Sequence, residues 1–150
     1  MRQTSLFAAV LVVCLGLASN ANAQTHYGVR FGVSGDPGQF VVGGHIETKP
    51  LIKHLTFRPN LEVGFGDNST LTALNFEFAY RIDLDNKPWW IYIVAGPAAV
   101  WNHQDGGDTD FGGGFNVGVG VQHRRGLFAE FKVGAVDSPN VKFMVGYAFK

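Results

Sequence analysis

Val141-Lys142-Phe143-Met144-Val145-Gly146-Tyr147-Ala148-Phe149 alternates with a period of two. In an extended strand Val141, Phe143, Val145, Tyr147 and Phe149 share one face, and Lys142, Met144, Gly146 and Ala148 share the other, because successive side chains point to opposite sides. One face is aromatic and aliphatic; the other is mostly small. An edge strand that left so much apolar surface in water would pair with other chains. The pattern therefore predicts a strand paired on both sides, with its apolar face covered, closing against the first strand of the mature chain.

The same alternation recurs between turn signals along the chain. Strands are predicted over His26 to Ser34, Gln39 to Thr48, Leu55 to Gly66, Leu71 to Leu84, Trp89 to Trp101, Phe111 to Gln122, Leu127 to Val136 and Val141 to Phe149. The fourth is the most two-sided: Leu74, Phe76, Phe78, Tyr80 and Ile82 alternate with Ala73, Asn75, Glu77, Ala79 and Arg81. The fifth is apolar on both faces, so its facing is undecided. Gly35-Asp36-Pro37-Gly38, Asp67 to Thr70, Asp85 to Pro88 and Asp137 to Asn140 read as turns. Asn102 to Asp110 reads as the longest polar connection. Pro59 and Pro97 fall inside strands, where each removes a ladder donor, and bulges are expected there.

The first residues have a different character. Arg2 precedes an apolar run from Leu6 to Ala18, and Ala21-Asn22-Ala23 supplies the small residues of a cleavage site. That is the pattern of a cleavable signal peptide over residues 1–23, with residues 24–150 as one mature domain. The single cysteine, Cys14, lies in the segment to be removed, so no disulfide or thiolate metal site is expected. Without Arg2 the mature chain has 11 basic and 12 acidic residues. No basic face points to nucleic acid.

Alternation alone does not say which face is outside. The second face is rich in glycine, 20 in the whole chain, and sparse in the charges that a water-facing wall carries. An eight-stranded barrel has an interior just wide enough for side chains, so the small face belongs inside. The fold class is then all-β: an eight-stranded antiparallel up-and-down transmembrane β-barrel whose phenylalanines face lipid. Folding about the first turn sets Arg30 opposite Gly43, His45 opposite Gly28 and His26 opposite Glu47. Folding about Arg125 sets Phe128 opposite Gly120, Glu130 opposite Gly118 and Lys132 opposite Asn116. Bulky groups meet small ones, as a narrow lumen requires. The polar lumen would hold Arg30, His45, Glu47, Arg58, Glu62, Glu77, Arg81, Asp83, Glu130 and Lys132. These charges should pair across strands to offset desolvation, and Arg58 with Glu77 is one diagonal candidate. A plugged lumen rather than an open pore is expected. Tyr27, Trp89 or Trp90, Tyr147 and Phe149 would gird one rim, with Phe31, Phe65, Trp101, Phe111 and Phe143 near the other.

With these residues laid out, the chain resembles the small eight-stranded outer-membrane β-barrel proteins of Gram-negative bacteria, the OmpA-like and OmpX-like barrels. The resemblance rests on Tyr92-Ile93-Val94-Ala95-Gly96-Pro97-Ala98, on Gly112-Gly113-Gly114-Phe115-Asn116 through Val121, and on the aromatic end Gly146-Tyr147-Ala148-Phe149. It implies residence in the cell outer membrane, with lipid and lipopolysaccharide as surroundings. It also implies that Gly146, Tyr147 and Phe149 form a signal read by the barrel-assembly machinery. A monomer without cofactor is expected, with a structural, envelope-integrity or surface-interaction role.

Two other readings use the same residues. Lipid-A-modifying enzymes share the architecture, but a deacylase needs serine, histidine and an acid within reach. Ser34, Ser69 and Ser138 all fall at strand ends or turns, and His123 is followed by Arg124-Arg125. A soluble periplasmic barrel would instead hold an apolar ligand inside. Asn102 to Asp110 offers oxygen ligands without the spacing of a helix-loop-helix calcium site, so no metal site is expected.

Overall fold

The computed structural model describes residues 25–36 and 38–149; the signal-peptide segment and Cys14 lie outside the described residues. Eight strands follow in chain order: β1 His26–Gly35, β2 Gln39–Glu47, β3 Leu55–Phe65, β4 Ser69–Asp83, β5 Trp89–Gln104, β6 Thr109–His123, β7 Leu127–Val136 and β8 Val141–Phe149. Each pairs antiparallel with the next, and β8 returns to β1 through Tyr27↔Phe149 to Gly35↔Val141, which closes the barrel. The final strand thus has hydrogen-bonding neighbours on both sides, as its aromatic face demands.

The wall has inverted polarity. Phe76, Phe78, Phe115 and Phe143 are exposed on the outside, whereas Arg30, Glu77, Glu130 and Lys132 are almost fully buried inside. The undecided fifth strand is resolved: Trp90, Tyr92, Val94, Ala98 and Val100 of β5 turn inward, and Trp89, Ile93 and Trp101 turn outward. Outward aromatics gather at both rims. Tyr27, Tyr147 and Phe149 cluster with ring centroids 5.2–5.7 Å apart at the terminal end, and Trp101 meets Phe111 at 5.3 Å near the other.

Registers show where sequence reasoning stops. The β1–β2 pairs Arg30↔Gly43, Gly28↔His45 and His26↔Glu47 are as expected. The β6–β7 register is displaced by two: Gln122 faces Phe128, Gly120 faces Glu130 and Gly118 faces Lys132. The observed pairs are symmetric about Arg125 and the expected ones about Arg124, so the hairpin folds one residue later than expected; its turn over 124–126 ends on Gly126 at φ +112°, a conformation that glycine adopts freely. A shift of two preserves facing, whereas a shift of one would have inverted it.

Asn102 to Asp110 is also different from expectation. Asn102↔Asp110 and His103↔Thr109 extend the β5–β6 ladder, so only 105–108 connect the strands, with Gly106 at φ +78°. The expected bulges at Pro59 and Pro97 are absent, and the register runs on unchanged past both. The β2–β3 ladder stops at His45↔Asn60, immediately before Pro59. The β4–β5 ladder omits the positions of Phe76 with Pro97 and Glu77 with Gly96. A proline needs no extra residue opposite it; it removes only the rung that its nitrogen would have donated.

Candidate functional site

The barrel interior brings together charges from six strands. Arg30 of β1 reaches Glu62 of β3 at 3.3 Å and Glu130 of β7 at 3.1 Å. Lys132 of β7 lies 3.2 Å from Glu62, 2.8 Å from Glu77 of β4 and 3.2 Å from Glu130. Lys142 of β8 donates to Glu62 at 2.6 Å. Nearer the terminal end, Arg58 of β3 donates to Glu47 of β2 at 2.5 Å and approaches Glu130 at 3.6 Å. The buried cations Arg30, Arg58, Lys132 and Lys142 are balanced by buried Glu62, Glu77 and Glu130 together with part-buried Glu47. The interior is therefore neutral by formal charge, as the desolvation cost of unpaired charge requires.

Neutral groups complete the network. Tyr92 donates its hydroxyl to Glu130 at 2.8 Å. An amide relay runs along one side of the interior from β6 to β3 and back to β4: Asn116 donates to Asn75 at 2.8 Å, Asn75 to Asn60 at 2.7 Å and Asn60 to Glu77 at 2.8 Å. Small residues leave room for the large ones. A Cβ on Gly120 would stand 2.2 Å from the Tyr92 ring, and one on Gly28 would stand 2.4 Å from His45. His45 is buried and meets the Phe128 ring edge-on at 5.3 Å.

Several sequence-predicted residues are arranged differently from expectation. Arg58 and Glu77 stand opposite each other in the β3–β4 register, yet their charges go elsewhere, Arg58 to Glu47 and Glu77 to Lys132. Arg81 is exposed at the terminal rim rather than inside. It bonds Asp83 at 2.5 Å and stacks 3.8 Å over Trp90, because the lumen has opened to solvent at that level. Lys142 and Tyr92 were missed. Alternation places Lys142 inward on an otherwise apolar strand, and Tyr92 was hidden by the two apolar faces of β5. Gly146 is buried against Phe128, while Tyr147 and Phe149 face outward.

Ser34, Ser69 and Ser138 lie on β1, on β4 and in the β7–β8 connection, and the Gln39 side-chain amide donates to the Ser69 hydroxyl at 3.3 Å and to its carbonyl at 3.4 Å. Among the described residues no three histidine, cysteine or acidic side chains converge to hold a metal ion. Two cavities open at the ends of the barrel. One, of about 400 Å³ at the terminal end, is lined by His26, Glu47, His54, Arg81 and Trp90 among others; the other, of about 380 Å³, lies at the opposite end.

No family model matches the chain, and no curated protein matches it. Among solved structures, the chain is similar to Neisserial surface protein A, with TM-score 0.67 and 15% identity over 84% of this chain and 95% of that one. It is similar also to the N-terminal β-barrel domain of OprF from Pseudomonas aeruginosa, with TM-score 0.60 and 15% identity over 83% of this chain and 96% of that one. At such identities the likeness is one of fold. The closed antiparallel wall, its apolar exterior and these two neighbours together give the chain the fold of the small eight-stranded outer-membrane β-barrels.

Proposed function

We propose that the protein resides in the outer membrane of a Gram-negative cell, exported by a signal peptide over residues 1–23, as a barrel closed to ion flow. Its role is structural, in envelope integrity, and the terminal rim faces the periplasm. The single observation that carries this reading is the inverted wall: an apolar exterior around an interior of buried, mutually neutralised charges. Hydrocarbon satisfies the first and cross-strand pairing the second. Arg30, Lys132, Glu62, Glu77 and Glu130, with Tyr92, Phe128 and Met144, occupy the cross-section where a channel would have to run.

The connections at the far end cover only 36–38, 66–68, 105–108 and 137–140. They offer little surface for an adhesive partner, which favours the wall itself as the working part. The aromatic pair Tyr147 and Phe149 supports recognition by the assembly machinery through β8, and lipid and lipopolysaccharide are the surrounding partners. This reading assigns no catalysis.

The mature chain should remain with outer membranes after carbonate and salt washes and migrate in a heat-modifiable manner on gels. In planar bilayers it should show no conductance steps. Release by washing would overturn membrane residence, and stable steps would overturn the closed lumen.

A further inference from the structure

The two ends of the barrel differ sharply in charge. At the end away from the termini, segments 34–39, 64–72, 100–113 and 134–141 carry Asp36, Asp67, Asp105, Asp108, Asp110 and Asp137 and no lysine or arginine. The connections at the other end carry Lys49, Lys53, Lys87, Arg124 and Arg125 against Asp85. Within the acidic end, Asp36, Asp110 and Asp137 ring the cavity of about 380 Å³, whose wall also includes Leu71, Val100 and Phe111. Volumes of this order suit a small molecule.

Ser138 is an independent sign of a ligand. It is 5% exposed, lines this cup, and its hydroxyl has no hydrogen-bond partner among the described residues. Its position is built. Val136, a β-branched residue, takes φ +63° and turns the chain inward. Asp137 then lies over Gly112 and Ser138 over Gly114, where any Cβ would come within 2.2 Å of the incoming side chain. Asp137 accepts from the Gly113 amide at 3.1 Å, and Asp36 accepts from Asn140 at 2.8 Å, so both carboxylates are held in place.

The arrangement selects among cations. A metal ion needs oxygens converging on one point, and among the described residues no such group of three exists. A single ammonium would meet one screened carboxylate and bind weakly. Several ammonium groups joined by methylene chains can address separated carboxylates while the methylenes lie on the inward Leu71 and Val100. We propose that this cup binds a small aliphatic polyamine, with Asp36, Asp110 and Asp137 receiving its ammonium groups and Ser138 accepting a hydrogen bond.

The test is calorimetric titration of spermidine into the full chain refolded in zwitterionic detergent micelles, at constant ionic strength, with heat-modifiable migration reporting the fold of every variant. Saturable one-to-one binding is expected. Asp110→Asn and Asp137→Asn should each weaken it about tenfold or more, the loss of a charge-assisted contact. Asp67→Asn and Asp105→Asn, which lie at the same acidic end outside the cup, should change it by less than about twofold. Absence of saturable heat, equal weakening by the two outer substitutions, or saturable displacement by magnesium at matched ionic strength would each overturn the proposal. None of these readouts depends on whether the lumen conducts.

Discussion

Glu62 is the acceptor on which three cations meet, and Glu62→Gln is the most informative single change. The substitution keeps the shape but removes the charge that Arg30, Lys132 and Lys142 approach at 3.3, 3.2 and 2.6 Å. The interior would then hold four cations, Arg30, Arg58, Lys132 and Lys142, against Glu47, Glu77 and Glu130. Removing one member of a buried ion pair costs about 3–5 kcal/mol, because the remaining charge stays desolvated without compensation. That loss should be read from the urea midpoint of the chain refolded in micelles, followed by heat-modifiable migration and tryptophan fluorescence. Lys142→Met added to Glu62→Gln restores formal neutrality, and the double variant should be more stable than additivity allows by about 1–3 kcal/mol. A loss below about 1 kcal/mol for Glu62→Gln would refute the reasoning. The pairs would then behave as water-screened surface pairs, and the interior would be a hydrated passage.

Tyr92→Phe removes the 2.8 Å hydrogen bond to Glu130 and should lower stability by about 1.5–3 kcal/mol in the same unfolding assay, as expected for a bond to a charged group. Phe76→Arg, at the middle of the outer face of β4, should cost about 2–4 kcal/mol when the barrel is folded into lipid vesicles, and Phe111→Arg, at the rim, about 0–1 kcal/mol. Equal costs at the two depths would contradict a hydrocarbon belt around the wall.

How far the sequence could be read follows from what each feature depends on. Facing depends on parity, so Phe76, Glu77 and Lys132 could be placed from alternation alone. Turn length determined the β1–β2 register. In the β6–β7 hairpin Arg124 and Arg125 are equivalent as turn residues, and the chain folds about Arg125 rather than Arg124, which moves the register by two. The partners of a buried charge depend on register across several strands together with side-chain reach. Arg58 therefore bonds Glu47 on one neighbouring strand although Glu77 stands opposite on the other. Arg81 shares the inward parity of Glu77, but its height in the barrel, four residues nearer the rim on β4, puts it in solvent. The acidic cup was not legible. It requires the inward turn at Val136, and nothing in the composition of that segment separates it from an ordinary turn.

Pro59, Phe76 and Pro97 occupy neighbouring positions on three successive strands, and rungs are missing between β2 and β3 at Pro59 and between β4 and β5 at Pro97. Between β4 and β5 the strands are kept close there by Gly96, whose bare Cα lies against the Phe76 carbonyl. The β4–β5 ladder is thereby split into an upper and a lower run of bonds, whereas β3–β4 and β5–β6 run on without a break. Under load or heat the β4–β5 seam should part at this gap before β1 and β8 separate, so that the cylinder breathes through one wall while its closing seam stays shut.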